Sequence, residues 1–339
     1  MRLAPIAVPV GDPGGVGPQV ALVATLKRRD SDRFVLFGDL EQLLEIARRD
    51  LADQALALKP LKGQAIGSLR SGEVGVVDTG GVPRAVWNAH VAGAAAGNAQ
   101  LGTLRAATDA VLAGHCRALA TGPVSKESVN MAGVAFTGQT EWLAGYTGLA
   151  DDAVTMMFLG PRLRVALVTT HIGLARVPQE IHPGRIQRAC RHLGEALVAL
   201  LRGTDGPAPR VVLASLNPHA GEGGLFGDEE DCILRPALQR AAADAPFLDG
   251  PAALEGPAPA ETAFRRVVGD DSAGVVALYH DQATIASKVL DWGAAVNVTW
   301  GLPFVRTSVD HGVAYDAART GHAEADGMVA ALDMAARLS

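Results

Sequence analysis

The sequence predicts an α/β protein built on mainly parallel sheet with helical crossovers. Three observations carry that prediction: β-branched and apolar runs alternate with helical patterns along most of the chain, the unusual polar residues fall at the ends of those runs, and 339 residues fit about two domains. The first strand is Pro5–Gly11, followed by a helix from about Gly17 to Arg29, a strand FVLFGD and a helix LEQLLEIARRDL. Val91 to Gly114 is Ala-rich with Leu101, Leu104, Ala107 and Val111 at three- and four-residue spacing, which predicts one long packed helix leading into the strand ALATGPVS. VTMMFLG and RVALVTTH read as a hairpin; RVVLASLNPH, GVVALYHD and AAVNVTWG read as further strands, with a helix from Asp228 to Asp244. A parallel core with an antiparallel addition is therefore expected. The segment Gly250–Pro259 reads as a linker or an active-site loop.

Composition narrows the class. The chain is 48% hydrophobic, 19% charged and 4% aromatic, which excludes a disordered chain, a coiled coil and a collagen-like polymer. Its net charge of −6 lacks the basic footprint that a phosphate backbone requires, so nucleic acid is not an expected partner. No apolar run approaches the roughly 20 residues of a membrane span, and the apolar start shows no cleavage pattern, so no membrane association is expected. Cys116, Cys190 and Cys232 are odd in number and widely spaced, which argues against disulfides and cysteine zinc sites and for a reducing, cytoplasmic setting.

The chemistry-bearing residues sit where open α/β sheets place ligands, at strand ends. In Gly11-Asp12-Pro13-Gly14-Gly15-Val16-Gly17-Pro18 a strand runs into glycines before a helix, so bare N–H groups there are expected to face an anion or cofactor; a plain tight turn fits equally well. The dinucleotide fingerprint G-x-G-x-x-G is broken at its third glycine, and no G-K-[ST] phosphate loop occurs. His171, His219 and His280 each follow an apolar run. One such histidine is ordinarily structural, but three in one context match a divalent-metal site with room for substrate oxygens. His90 falls in a loop, and His115, His182, His192 and His322 fall in or beside helices as surface or packing residues. Of 30 basic residues only Lys27, Lys59, Lys62, Lys126 and Lys288 are lysines, so Lys126, after a Thr-Gly-Pro turn, and Lys288, eight past His280, are candidates for phosphate binding or proton transfer.

The stretches GDPGGVGPQV, ATGPVSKESVNMAGVAFTGQTEWLA, VALVTTHIGL, LNPHAGEGGLFGDEE, YHDQ and VNVTWGLPFVRTSVDHG together resemble the 4-hydroxythreonine-4-phosphate dehydrogenase (PdxA) family of vitamin B6 biosynthesis. The resemblance implies a fold like isocitrate and isopropylmalate dehydrogenases: two α/β/α domains, a cleft between them, and a homodimer with shared active sites. The expected boundaries are 1–125 with 290–339 for the nucleotide-binding domain, and 126–289 for the metal, substrate and dimerisation domain. It implies His171, His219 and His280 as ligands of one divalent ion (Zn, Co, Mg or Mn), and Gln139, Thr140, Lys288, Asn297 and Arg306 as substrate contacts. Gly14, Gly15, Gly17, His311 and Gly312 would meet NAD or NADP, and Lys126, Glu261 and Asp281 are candidates for proton transfer. The implied reaction oxidises a phosphorylated hydroxy acid at C3, with decarboxylation following.

Two positions depart from the family pattern. Gln139 replaces the histidine of T-G-H-T-E, and Glu261 replaces the aspartate of G-P-x-P-A-D. Dehydrogenases of the family acting on a four-carbon phospho-sugar acid or a terephthalate-type cis-dihydrodiol are therefore alternatives. A metal-dependent hydrolase or lyase without nucleotide, and a non-catalytic anion-binding protein, belong to other classes.

Overall fold

A computed structural model describes residues 3–51, 58–61, 63–243 and 254–339; of residues 62–65 and 151 no side chain is described. The chain forms two compact units, Met1–Leu149 with Leu302–Arg337 and Ser339, and Ala150–Gly301 with Leu338. The limits fall at 149/150 and 301/302, against 125/126 and 289/290 in the sequence reading. Residues 126–149 thus belong with the first unit and 290–301 with the second.

The first unit holds β1 (Ile6–Pro9), β2 (Phe34–Gly38), β3 (Leu58–Leu61), β4 (Val74–Asp78), β5 (Ala118–Thr121) and, after the excursion through the second unit, a returning strand Val305–Ser308. Their order is β3-β4-β2-β1-β5 and then the returning strand, and every pairing is parallel. Strands β1 and β2 are buried at every residue, as a parallel sheet covered on both faces demands. Strands β3 and β4 escaped the sequence reading, because LKPL carries a lysine and a proline and VGVVD a glycine, which blur the apolar run. The Ala-rich helix spans Ala94–Leu112, shorter than Val91–Gly114. A Cβ at Gly97 would stand 2.0 Å from the Ser128 carbonyl oxygen, so this glycine is what lets the helix lie directly on Lys126–Met131.

The second unit holds β6 (Thr155–Leu159), β7 (Arg164–Leu167), β8 (Arg210–Ala214), β9 (Leu254–Ala258), β10 (Ala273–Ala277) and β11 (Val296–Trp300); the returning strand of the first unit is β12. Their order is β11-β6-β7-β10-β8-β9, with β6 antiparallel to both neighbours and the rest parallel. The hairpin and the antiparallel addition are as expected. Gly250–Pro259 is not a loop throughout: residues 250–253 lie outside the described residues, and 254–258 form edge strand β9, whose backbone pairs with β8 despite its glycine and proline. The Asp228–Asp244 helix is a π-helical turn, Glu230–Leu234, followed by the α-helix Arg235–Ala243; Asp244 lies outside the described residues. Valines and leucines of β7, β8 and β10, with Phe158, form the core.

One buried histidine reports on this unit. His192, in the helix Pro183–Leu200, shares a 2.8 Å hydrogen bond between Nδ1 and Thr155 Oγ1, and burial, followed by the nearby arginines, pushes its pKa down to about 3. Below about pH 6.5 the unfolded ring takes up a proton that the native ring refuses, so its contribution is present above that pH and lost as pH falls toward 3. The expected slope is about 1.4 kcal/mol per pH unit in that window. His192→Asn should flatten the fall in unfolding free energy between pH 6 and 4, measured by urea titration; an unchanged slope would place the titration elsewhere.

Candidate active site

Every candidate site residue of the second unit except Lys288 and Asn297 leaves the C-terminal end of a parallel strand. Strands β7 and β10 run side by side in register at Leu167 and Ala277, and their continuations stay paired through Val168 N–H to Ala277 C=O (2.9 Å) and Thr169 Oγ1 to Leu278 C=O (2.7 Å). His171 and His280 therefore emerge as neighbours, with ring centroids 5.6 Å apart. His280 Nδ1 meets Asp281 Oδ1 at 2.7 Å, which orients the ring and leaves Nε2 as its outward nitrogen. Gln282 ties this corner to the next: its Oε1 accepts from Leu278 N–H at 2.7 Å and its Nε2 donates to Ser215 C=O at 3.0 Å.

Past Ser215, the chain enters a left-handed run. His219, Ala220, Gly221, Glu222, Gly223 and Gly224 all have positive φ, between 45° and 94°. For the non-glycine members such backbone costs roughly 1–2 kcal/mol each, so the run exists only because its surroundings enforce it. His219 stands exposed near Glu261, at the start of the helix Ala260–Val267. Hydrogen bonds from the backbone and Thr262 hold the exposed Glu261 carboxyl below the usual glutamate range, with the His219 ring contributing. Lys288 lies exposed on the helix His280–Leu290, and Asn297 lies on β11 with its Oδ1 buried and without a hydrogen-bond partner among the described residues.

In the donor chemistry of its side chains, the His171 and His280 pair fits a divalent cation. Among the described residues no three His, Cys, Asp or Glu side chains stand close enough together to enclose an ion, so His219 does not join the pair within one chain.

In the first unit the candidate residues lie after the neighbouring strands β1, β5 and β12, except Arg306, which lies within β12. The turn after β1 is organised by Asp12, a residue the sequence reading did not single out. Its buried carboxylate accepts from Gly14 N–H (2.8 Å), Tyr315 Oη (3.0 Å), Gln100 Nε2 (3.2 Å) and Ser128 Oγ (3.3 Å). Burial nevertheless raises its pKa above the usual aspartate value. Gly15 N–H donates to Asp12 C=O and Val16 N–H to Val313 C=O, so three N–H groups expected to face a ligand bond within the protein instead. The physical reason is Asp12 itself, folded under its own turn. Gly15 is still needed, because a Cβ there would stand 2.6 Å from the Val313 carbonyl oxygen. That closeness brings the Gly14–Gly17 turn against the His311–Gly312 segment, both expected at the nucleotide. A cavity of about 60 Å³ lined by Gly15, Gln19, Trp87 and His90 opens beside it.

A second group gathers after β5. Arg306, buried on β12, donates from Nη2 to Thr121 Oγ1 at 2.8 Å, and Gln139 Nε2 donates to Gly122 C=O at 3.0 Å. The Gln139 Oε1 is buried with no hydrogen-bond partner among the described residues. Burial lowers the Arg306 pKa to about 10, Glu141 opposing the shift, so it stays a cation at neutral pH. A Cβ at Gly138 would lie 2.5 Å from Glu141 Oε2 and 3.9 Å from Lys126 Cε, which places Lys126 beside the same carboxylate. Lys126, Gln139 and Arg306 thus share one corner, with Thr140 following Gln139 on the helix Gln139–Tyr146. Glu141 was missed; its only sequence signal is its place in T-G-Q-T-E. Lys288 and Asn297, expected beside Arg306, belong to the other unit.

Imidazoles at one set of strand ends, and a buried arginine with a glycine turn at the other, define the class: a two-unit α/β enzyme. The model of the family described as pyridoxal phosphate biosynthetic protein PdxA matches residues 31–335. A 4-hydroxythreonine-4-phosphate dehydrogenase of Desulfosudis oleivorans is 38% identical over 336 residues, covering 97% of this chain and 94% of that protein. A D-threonate 4-phosphate dehydrogenase of Cupriavidus necator is 38% identical over 339 residues, covering 98% and 97%. The crystal structure of a 4-hydroxythreonine-4-phosphate dehydrogenase from Klebsiella pneumoniae superposes with a TM-score of 0.82 at 32% identity, covering 99% of each chain. The chain belongs to the PdxA family.

Proposed function

We propose that this protein is an NAD(P)-linked oxidoreductase that oxidises 4-phosphooxy-threonine at its C3 hydroxyl, with decarboxylation of the resulting β-keto acid, in vitamin B6 biosynthesis. The observation that carries the reading is family membership over residues 31–335, joined to a buried arginine and a lysine in one corner of the first unit and an imidazole pair in the second. His171 and His280, with His219, would hold a divalent ion. Such an ion supplies Lewis acidity, favouring loss of the hydroxyl proton and tempering negative charge as carbon dioxide leaves.

The remaining work falls to the chain. Arg306 binds the phosphate, assisted by Lys288 and Asn297. Thr140 and Gln139 orient the substrate, Gln139 being fixed by its bond to Gly122. The Gly14–Gly17 turn and His311–Gly312 position the nicotinamide nucleotide. Asp281 is engaged by His280 Nδ1, which suits it to holding the ring; Lys126 and Glu261 are the better placed to take the substrate proton.

A second reading has a specific observation behind it. Gln139 is neutral where the family pattern has a titratable imidazole, and a relative of equal identity is named as acting on D-threonate 4-phosphate. The two readings separate in one experiment: NAD(P)H appearance at 340 nm with 4-phosphooxy-threonine, D-threonate 4-phosphate and their dephosphorylated forms. Preference for the first substrate supports the primary reading, and preference for the second selects the alternative. Turnover of an unphosphorylated compound as good as either ester rejects both.

A homodimer is part of the proposal. Ile285, Val289 and Trp292 are 64%, 78% and 82% exposed along and just past the helix that carries His280 and Lys288, an apolar face suited to a second copy. Light scattering should give twice the 35.0 kDa chain mass; a single-chain mass would refute the shared site.

A further inference from the structure

The left-handed run that carries His219 is held by one buried carboxylate. Glu230 is 2% exposed, and its Oε1 accepts from the backbone N–H of Leu216 (2.9 Å) and of Asn217 (2.8 Å). Its Oε2 accepts from Asn217 Nδ2 at 2.9 Å, and the same amide reaches Glu229 Oε2 at 2.6 Å. These bonds fix the two residues immediately before Pro218 and His219. The far side of the loop is pinned as well: a Cβ at Gly221 would lie 2.8 Å from the Gly227 carbonyl oxygen and 3.0 Å from Glu230 Oε2. A Cβ at Gly227 would lie 2.5 Å from Asn217 Nδ2. One carboxylate therefore stands at the centre of the fold-back from Leu216 to Gly227, in contact with both of its arms.

The element supplying that carboxylate is itself unusual. Glu230 opens the π-helical turn Glu230–Leu234, a geometry that recurs where a side chain must be re-aimed. An unbroken α-helix would carry its residues around the axis at a different pitch. With three donors converging on it, the carboxylate is matched by charge and by lone pairs; a neutral amide would set a donor group against N–H groups that need acceptors.

We propose that Glu230 is a positioning residue for His219: its carboxylate, gripping Leu216 and Asn217, holds the left-handed loop in the one conformation that presents the His219 imidazole for metal binding. The inference rests on the reading of His219 as a metal ligand. Glu230 itself touches neither metal nor substrate. Glu229, which accepts from the Asn217 side chain, contributes less, since the backbone grip survives without it.

The test is a double-mutant cycle read by Co²⁺ binding to the metal-free full-length protein, with calorimetric affinity and the visible absorption of bound Co²⁺ as readouts. Glu230→Gln should weaken Co²⁺ at least about tenfold and alter its visible spectrum, whereas Glu229→Gln should weaken it less. In a His219→Ala background, Glu230→Gln should cause no further weakening, because its effect runs through that ring. Equal weakening in both backgrounds, or native affinity for Glu230→Gln, overturns the proposal. If His219→Ala alone leaves affinity and spectrum unchanged, the ligand reading has failed, and the positioning role falls with it. Should Glu230→Gln not fold, Glu230→Asp replaces it in the same cycle: one methylene shorter, it keeps the charge but draws the carboxylate back from the Leu216 and Asn217 N–H groups, and must show the same dependence on His219.

Discussion

His280→Ala and His171→Ala should each lower kcat by roughly 10³-fold or more while leaving the melting temperature nearly unchanged. The two effects separate because the rings contribute to chemistry and little to the core. His171 is exposed and His280 half-buried, and both lie beyond strands whose valines, leucines and alanines are fully buried. Removing either imidazole costs the unit almost no apolar burial but removes half of the pair seen at 5.6 Å. Asp281→Asn should fall between, at roughly 10- to 100-fold, since it frees the His280 ring without deleting it. Initial rates of NAD(P)H formation with saturating metal, alongside thermal unfolding, read both quantities. Activity within tenfold of native in either alanine variant would remove that histidine from the site.

Arg306→Ala should raise KM for the phosphorylated substrate at least about tenfold, equivalent to ~1.4 kcal/mol. A charge-assisted hydrogen bond to phosphate is worth roughly 1.5–3 kcal/mol, and the variant also leaves the Glu141 carboxylate facing the anion without its counter-charge. Because Arg306 is 2% exposed, truncation also opens a buried space, so Arg306→Lys serves as the control. Lysine restores charge but not the fork that reaches Thr121, and should recover part of the loss. A KM unchanged in Arg306→Ala, in protein of native melting temperature, would show that the phosphate is held elsewhere.

Much of this molecule was legible in one dimension. The alternation of apolar runs and helical patterns determined parallel sheet with crossovers, since a strand buried on both faces must be apolar throughout. The hairpin was readable because two apolar runs flank a short turn containing Pro161, and the strand-end positions of His171, His219 and His280 were visible in the residue order itself. Strands β3 and β4 were not readable, because the lysine and proline of LKPL and the glycine of VGVVD interrupt the apolar run that marks a strand.

What the sequence determined by itself was which residues leave the sheet at its functional end, because period and apolarity are local properties of the chain. What only the tertiary structure decided was which of them meet. His171 joins His280 because β7 and β10 are parallel neighbours in register, a pairing that spans about a hundred residues of chain. Arg306 joins Gln139 and Lys126 because β12 returns to pair with β5 in the first unit. Asp12 turns the glycine motif inward because its carboxylate meets donors from Gln100, Ser128 and Tyr315, far along the chain. The left-handed bearing of His219 depends on Glu230 in the same way. In each case the deciding contact lies between residues whose separation in sequence carries no periodic signal, so only the folded chain could reveal it.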